Sequence, residues 1–324
     1  MARKVWNYSM FSNVNGGSDV LAKLRTFALA NGWTAPYYET SVSWASDGDG
    51  TYSFAHAGDE DHLELRSNGY GGQTMIFRFR NDPQDAQSDH LFCMAIDPAN
   101  GTVNESSSTR PDHQNDMNYT TDEWNTIPNS SFPEMVIVGD ETFIAVHMRV
   151  TTLLTLTFAF GTYELLPGEQ STDDLIFWWN GCTTSAGNWY DYTTPGGVQY
   201  ASFYTPLYAI AYNYYLDGTF YDNGRLKPFL RFPSYDGAAA TFYWMDLRTR
   251  IAANNFSGFR TFISIPVAVI NASSVWRVIG HFPFYYIPWG GLDWGEIIYR
   301  GSEQYLALPV MWFNQKYGIA YRVA

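Results

Sequence analysis

Hydrophobic and polar residues alternate with period two along much of this 324-residue chain. That period belongs to extended backbone, whose successive side chains leave opposite faces. The clearest stretch is Leu63–Arg80. Leu63 and Leu65 alternate with Glu64 and Arg66, and Met75, Phe77 and Phe79 alternate with Thr74, Ile76, Arg78 and Arg80. Between the two arms lies Ser67-Asn68-Gly69-Tyr70-Gly71-Gly72, whose glycines supply the positive φ that a reversal needs. The segment predicts a hairpin of half-buried strands. Glu134–Tyr163 predicts a meander. Val136 and Val138 alternate, Gly139-Asp140-Glu141 makes a turn, and Phe143–Val150 reads as a strand buried on both sides or nearly so. Thr151-Thr152 reverses the chain, and Leu154, Leu156, Phe158 and Phe160 then alternate with Thr155, Thr157, Ala159 and Gly161. His147, alone on a buried strand, reads as a satisfied core or interface residue rather than a ligand.

Further on, Phe262–Val269 predicts a strand interrupted by Pro266, a residue that favours sheet edges. Trp276–Pro283 and Glu296–Val310 follow, and Gly318–Val323 closes the chain with Ile319 and Tyr321 on one face and Ala320 and Arg322 on the other. That last strand is expected to pack Ile319 and Tyr321 inward, at a sheet edge beside an apolar cluster with Trp276 and Trp289. One helix is well marked: Ser18 or Asp19 can cap it, Val20, Leu24, Phe27 and Ala28 form its apolar stripe, and Asn31-Gly32 ends it. It reads as a lid on a sheet, with Trp33 packing back on the strands. A second, short helix is expected over Tyr243–Ile251. Asn81–Ser131 is a long polar stretch, expected to be ordered by a neighbouring subunit. The pattern as a whole predicts a mainly β chain, antiparallel sheets packed as one or more sandwiches, with one short N-terminal helix.

Charge divides the chain. Residues 1–170 carry 9 basic and 22 acidic residues, whereas 171–324 carry 10 of each, and the aromatics run the other way, 21 against 37. The expected organisation is therefore an acidic β lobe over 1–170, holding the helix and the polar stretch 81–131, and a neutral aromatic lobe over 171–324. A net charge of −13 argues against nucleic acid as a partner, because phosphate contacts need Lys and Arg. Cys93 and Cys182 show no metal or disulfide spacing and read as buried thiols of a protein made in a reducing compartment. No secretory leader is expected from Met1-Ala2-Arg3-Lys4-Val5-Trp6, nor a membrane span from Leu153–Phe160, which is short and interrupted by threonines.

Catalytic motifs are hard to find. Asp47-Gly48-Asp49-Gly50 departs from a calcium loop, with Tyr52 at the place of the expected glycine, and reads as a β-turn flanked by solvated acids. No G-x-S-x-G elbow, phosphate loop or H-E-x-x-H occurs. No cofactor, metal or catalytic residue is expected. Asp173, Asp174, Asp217, Asp222, Asp236 and Asp293 lie among aromatics, where a glycan depolymerase would need a carboxylate pair, but Asp217, Asp222 and Asp236 sit beside Gly or Asn as ordinary turn residues. The strongest candidates for contact are aromatic: Trp178, Trp179, Trp189, Tyr190, Tyr212, Tyr214, Tyr215, Trp289 and Trp294. Such side chains stack on sugar rings or anchor subunit interfaces, and the interface is the favoured reading.

Four segments carry a resemblance. They are Leu24-x-x-Phe27-x-x-x-Asn31-Gly32-Trp33-Thr34, the Leu63–Arg80 hairpin, the run through Phe158-Ala159-Phe160-Gly161-Thr162-Tyr163-Glu164, and the order of strands and Gly/Pro turns over 262–323. Together they resemble structural proteins of tailed-bacteriophage particles. The resemblance implies a non-enzymatic virion component of tail, baseplate or collar, made in the bacterial cytoplasm and acting as a homo-oligomer among other virion proteins. It carries no catalytic residues over. A receptor- or glycan-binding tail module that attaches to host surface sugar is the alternative.

Overall fold

The computed structural model of the chain describes residues 4–42, 60–68, 74–83, 88–96, 126–128, 131–149, 155–162, 164–167, 175–180, 209–212, 225–228, 262–270, 276–288, 292–309 and 317–324. The chain opens with β1 (Asn7–Asn15), α1 (Gly16–Ala30) and β2 (Thr34–Val42). A five-stranded sheet, ordered β2-β3-β4-β5-β6, adds β3 (Glu60–Asn68), β4 (Thr74–Pro83), β5 (Ser88–Ile96) and β6 (Thr126–Pro128). The meander follows as β7 (Ser131–Gly139), β8 (Phe143–Arg149) and β9 (Thr155–Gly161), then β10 (Glu164–Leu165), β11 (Leu175–Asn180), β12 (Ala209–Tyr212) and β13 (Arg225–Pro228). The C-terminal strands are β14 (Ile263–Ile270), β15 (Trp276–Pro288), β16 (Glu296–Arg300), β17 (Glu303–Pro309) and β18 (Tyr317–Arg322). With β1 they form a 13-stranded sheet, ordered β1-β7-β8-β9-β11-β12-β13-β14-β15-β18-β17-β16, with β10 beside β15. The fold is mainly β and antiparallel, with one short helix among the described residues, as the period-two pattern predicts. The long sheet crosses position 170 by pairing β9 with β11.

The predicted hairpin is β3–β4, in register from Asp61 opposite Asn81 to Asn68 opposite Thr74. Its apolar set, Leu63, Leu65, Met75, Phe77 and Phe79, is fully buried. These side chains meet Met135, Ile137, Ile144, Val146, Met148, Phe158 and Phe160 of the long sheet, and Val20, Leu21, Leu24, Phe27 and Ala28 of α1. Two sheets thus close face to face with the helix packed into the same cluster. Each such side chain contributes roughly 1.5–3 kcal/mol by leaving water. Phe160 is the hub, with ring centroids 4.8 Å from Phe79, 5.0 Å from Phe77 and 5.3 Å from Trp33. Trp33 packs back as expected, and its indole N–H donates to the Asp140 carbonyl at 2.5 Å.

Strand β8 is covered on both sides. Ile144, Val146 and Met148 join the sandwich core, while Phe143 and His147 face the other way. There Phe143 meets Trp6 at 5.5 Å and Phe284 of β15 at 6.3 Å, and His147 meets Tyr321 of β18. The long sheet therefore folds back, and its C-terminal strands pack on the outside of β8. Gly161 permits the exit from β9: its φ is +130°, and a Cβ there would lie 2.3 Å from the Thr142 carbonyl oxygen.

Several local expectations change. The helix begins at Gly16, before Ser18 and Asp19, so Asp19 sits in the first turn and its carboxylate accepts the Asn15 N–H at 2.9 Å. Gly32, at φ +88°, ends it as the left-handed residue that helix termini favour. Strand β1 carries no clean alternation and escapes the sequence pattern. The polar stretch 81–131 holds β5 and β6; β5 is invisible to a composition-based reading because Ser, Asp and His precede its apolar part. Pro266 stands inside the sheet, between β13 and β15, at a register shift, the internal placement that proline tolerates. The terminal strand is likewise internal, flanked by β15 and β17, and Ala320 is buried along with Ile319 and Tyr321. The outer face of β3–β4 is more than half-buried, since Glu64 is 2% and Arg80 8% exposed. The expected helix over Tyr243–Ile251 lies outside the described residues, as do Asp47–Gly50.

Candidate functional site

The buried polar side chains show where chemistry is held. Glu64 on β3 has its carboxylate bridged by two guanidinium groups, Arg66 at 2.5 Å and Arg78 at 3.2 Å. Arg78 lies over the ring of Tyr37, 5.9 Å from its centroid, and Tyr37 stands 6.4 Å from the His62 ring. Their placement follows from the register, which sets Tyr37, Glu64, Arg78 and Met94 in one row across β2 to β5. Opposite charges in one row stabilise the sheet. Asp140 is held in the same manner: its Oδ1 accepts the Thr142 N–H at 2.7 Å and the Thr142 hydroxyl at 2.8 Å, and Lys4 pairs with Oδ2.

His147 is the most perturbed group. It is fully buried, its Nε2 lies 2.8 Å from the Tyr321 hydroxyl, and the two rings meet edge-on at 5.4 Å. Burial holds the imidazole down to about 3 and pushes the Tyr321 phenol well above its ordinary value. Both are neutral in the fold. A neutral imidazole buried between β8 and the returning β18 of the same long sheet can share a hydrogen bond, but it is sealed from solvent.

His281 on β15 is only half-buried, and its Nδ1 lies 3.2 Å from the Ser264 hydroxyl on β14, with Glu164 opposite His281 in the β10 register. In a Ser-His-acid triad the serine faces Nε2 and the acid takes Nδ1. Here the serine takes Nδ1, so the pair acts as a cross-strand hydrogen bond beside the Pro266 bulge. Among the described residues no three His, Cys, Asp or Glu side chains gather to hold a metal ion, and no helix is long and apolar enough to cross a membrane.

Among the predicted contact aromatics, Trp178 and Trp179 lie on β11, between β9 and β12, and Tyr212 ends β12 opposite Leu175. Trp294 lies in the turn before β16, partly buried, with its indole N–H sealed from water. Trp189, Tyr190, Tyr214, Tyr215 and Trp289 lie outside the described residues. The large apolar side chains exposed on the described surface are different ones: Val5, Leu29 and Tyr37, and, on β1 and β16, Tyr8 and Met10 at 42% and 51% and Tyr299 at 67% exposed. Those strands are the two ends of the long sheet. Nothing in the alternation singles them out, because being at an end is a property of the strand order.

Beside Tyr299, Arg300 is exposed and its guanidinium stacks on Phe262 and Tyr285, 5.6 Å from each centroid. Partial burial opposes its charge, and the Tyr285 and Tyr305 hydroxyls outweigh that, holding it above its ordinary value. Burial and the Glu303 carboxylate push the Tyr305 phenol up to about 12. The fold defines an antiparallel, mainly β protein whose described buried charges are paired within the fold. The chain matches no family model and no curated protein.

Proposed function

We propose that this chain is a non-enzymatic structural subunit that works through contacts with its own copies and with neighbouring proteins, as part of a tailed-phage virion at the tail, baseplate or collar. The observation that carries the reading is that three of the six exposed large apolar residues of the described surface stand at the ends of the long sheet. Tyr8, Met10 and Tyr299 stand on β1 and β16, and among the described residues no strand pairs with the outer side of either. Sheet ends with unpaired backbone and apolar side chains are where another chain adds. The buried charges support the same reading, because Glu64 and Asp140 are engaged within the fold. The virion setting rests on the resemblance of the four sequence segments.

Mass spectrometry of purified particles, together with density for the subunit in their reconstruction, tests this function. The expected result is a fixed copy number per particle. A chain found only in infected-cell lysate, and never in particles, overturns it.

A further inference from the structure

We propose that β16 is a self-complementary dimer edge: two copies pair their β16 strands antiparallel about a twofold axis at Ile298, so that Arg300 of each copy meets Glu296 of the other. The proposal rests on the assembly reading above for its biological meaning and names the partner, a second copy of this chain.

The backbone fixes which groups are available. Val323 donates its N–H to the Gln304 carbonyl at 2.8 Å, and Gln304 donates its own to Ala324 at 2.8 Å. Both backbone groups of Gln304 therefore face away from β16. In an antiparallel ladder, opposed residues either exchange both bonds or neither. Tyr299 stands opposite Gln304, so its N–H and C=O point to the open side, and so do those of Ile297 two residues earlier. An antiparallel copy centred on Ile298 sets Ile297 opposite Tyr299 of the second copy. Outward groups then meet outward groups. A slip of one residue would oppose outward groups to inward ones and lose the bonds.

The side chains suit the same register. Glu296, Ile298 and Arg300 share one face, and Ile297 and Tyr299 the other. Arg300 lies opposite Glu303 in its own hairpin, but Glu303 accepts the Tyr305 hydroxyl at 2.8 Å and pairs with Arg322 at 3.3 Å. Arg300 stays exposed on its aromatic seat. The Glu296 carboxylate accepts the Asp293 N–H at 3.0 Å, and among the described residues no cation pairs with it. One acid and one base thus flank Ile298 symmetrically. Across a twofold axis they attract, where two like charges would repel. Pre-organisation of Arg300 on the rings lowers the side-chain entropy lost on pairing. On the other face, exposed Tyr299 covers half-buried Ile297 of the copy.

Charges on short edge strands also serve to prevent pairing, and the experiment separates these roles. A five-residue edge buries far less than the roughly 1,600 Å² of a standard interface. The expected dimer is consequently weak, with Kd on the order of 10 μM, and is weakened by salt. Sedimentation equilibrium of the full chain over a concentration series reads it. Arg300→Glu and Glu296→Arg should each weaken self-association about tenfold or more, and the double swap E296R/R300E should restore it. Ile297→Pro removes an outward N–H that β17 does not use, and should abolish dimerisation while near-UV circular dichroism stays native. A wild-type chain that is monomeric throughout, single variants that associate like wild type, or a double swap that fails to recover overturns the proposal. Assembly through another surface would show instead as R300E chains entering particles at normal copy number. A chain that dimerises by this edge yet never enters particles overturns the virion reading and leaves the dimer edge standing.

Discussion

His147 on β8 and Tyr321 on β18 share a 2.8 Å hydrogen bond across 174 residues of sequence, with both side chains fully buried. This contact ties the returning C-terminal strands to the middle of the fold, and it makes the fold sensitive to acid.

Burial keeps His147 neutral down to about pH 3, while an unfolded histidine takes up its proton near pH 6.5. Between these values the unfolded chain binds more protons than the folded one. Stability from this site is therefore present above about pH 6.5 and falls as pH drops toward 3, by on the order of 1 kcal/mol per pH unit. Urea denaturation at several pH values should show this slope, and His147→Gln should remove about one proton's worth of it. Tyr321→Phe takes the hydroxyl partner from Nε2 and should cost about 1–3 kcal/mol at neutral pH. A His147→Gln variant that keeps the wild-type slope would show that His147 is not sealed.

The Glu64 network should be unequal in its parts. Glu64 is 2% exposed and Arg78 is nearly as buried, whereas Arg66 is 42% exposed on its side chain. Glu64→Gln leaves Arg78 with a poorer partner in a dry place and should cost about 3 kcal/mol. Arg66→Gln removes a screened, exposed partner and should cost under about 1 kcal/mol. Denaturant midpoints of the two variants provide the comparison, and equal losses would contradict the burial difference.

Two glycines with positive φ should behave differently. At Gly161 a Cβ would lie 2.3 Å from the Thr142 oxygen and 2.6 Å from the Phe143 Cα, both backbone atoms, at φ +130°. Gly161→Ala should therefore cost about 3 kcal/mol or more. Gly301, at φ +63°, has no atom within 4 Å of the added Cβ, and its alanine variant should cost about 1 kcal/mol, the strain of left-handed backbone alone. Thermal melting distinguishes them.

Local periodicity determined a good deal by itself. The β3–β4 hairpin, the β7–β9 meander, the apolar stripe of α1 and the inward faces of Ile319 and Tyr321 are legible in sequence, because alternation and helical spacing report which side of an element meets the core. Where that signal is weak, elements escape: β1 has no clean alternation, and β5 is masked by the polar residues around it. Pairing order is nonlocal and lies beyond any such reading. Pro266 looks like an edge residue until β13 and β15 are seen on either side of it, and β18 looks like a closing edge until β17 and β16 are found outside it. The same limit applies to exposure. Which strands end a sheet is set by pairing, so the exposure of Tyr8, Met10 and Tyr299 emerges only from the fold. Sequence alone fixed the period of the backbone and hence the class of fold. Only the tertiary structure decided which strands are neighbours, because their hydrogen bonds join residues far apart in the chain and local side-chain pattern carries no record of that partner choice.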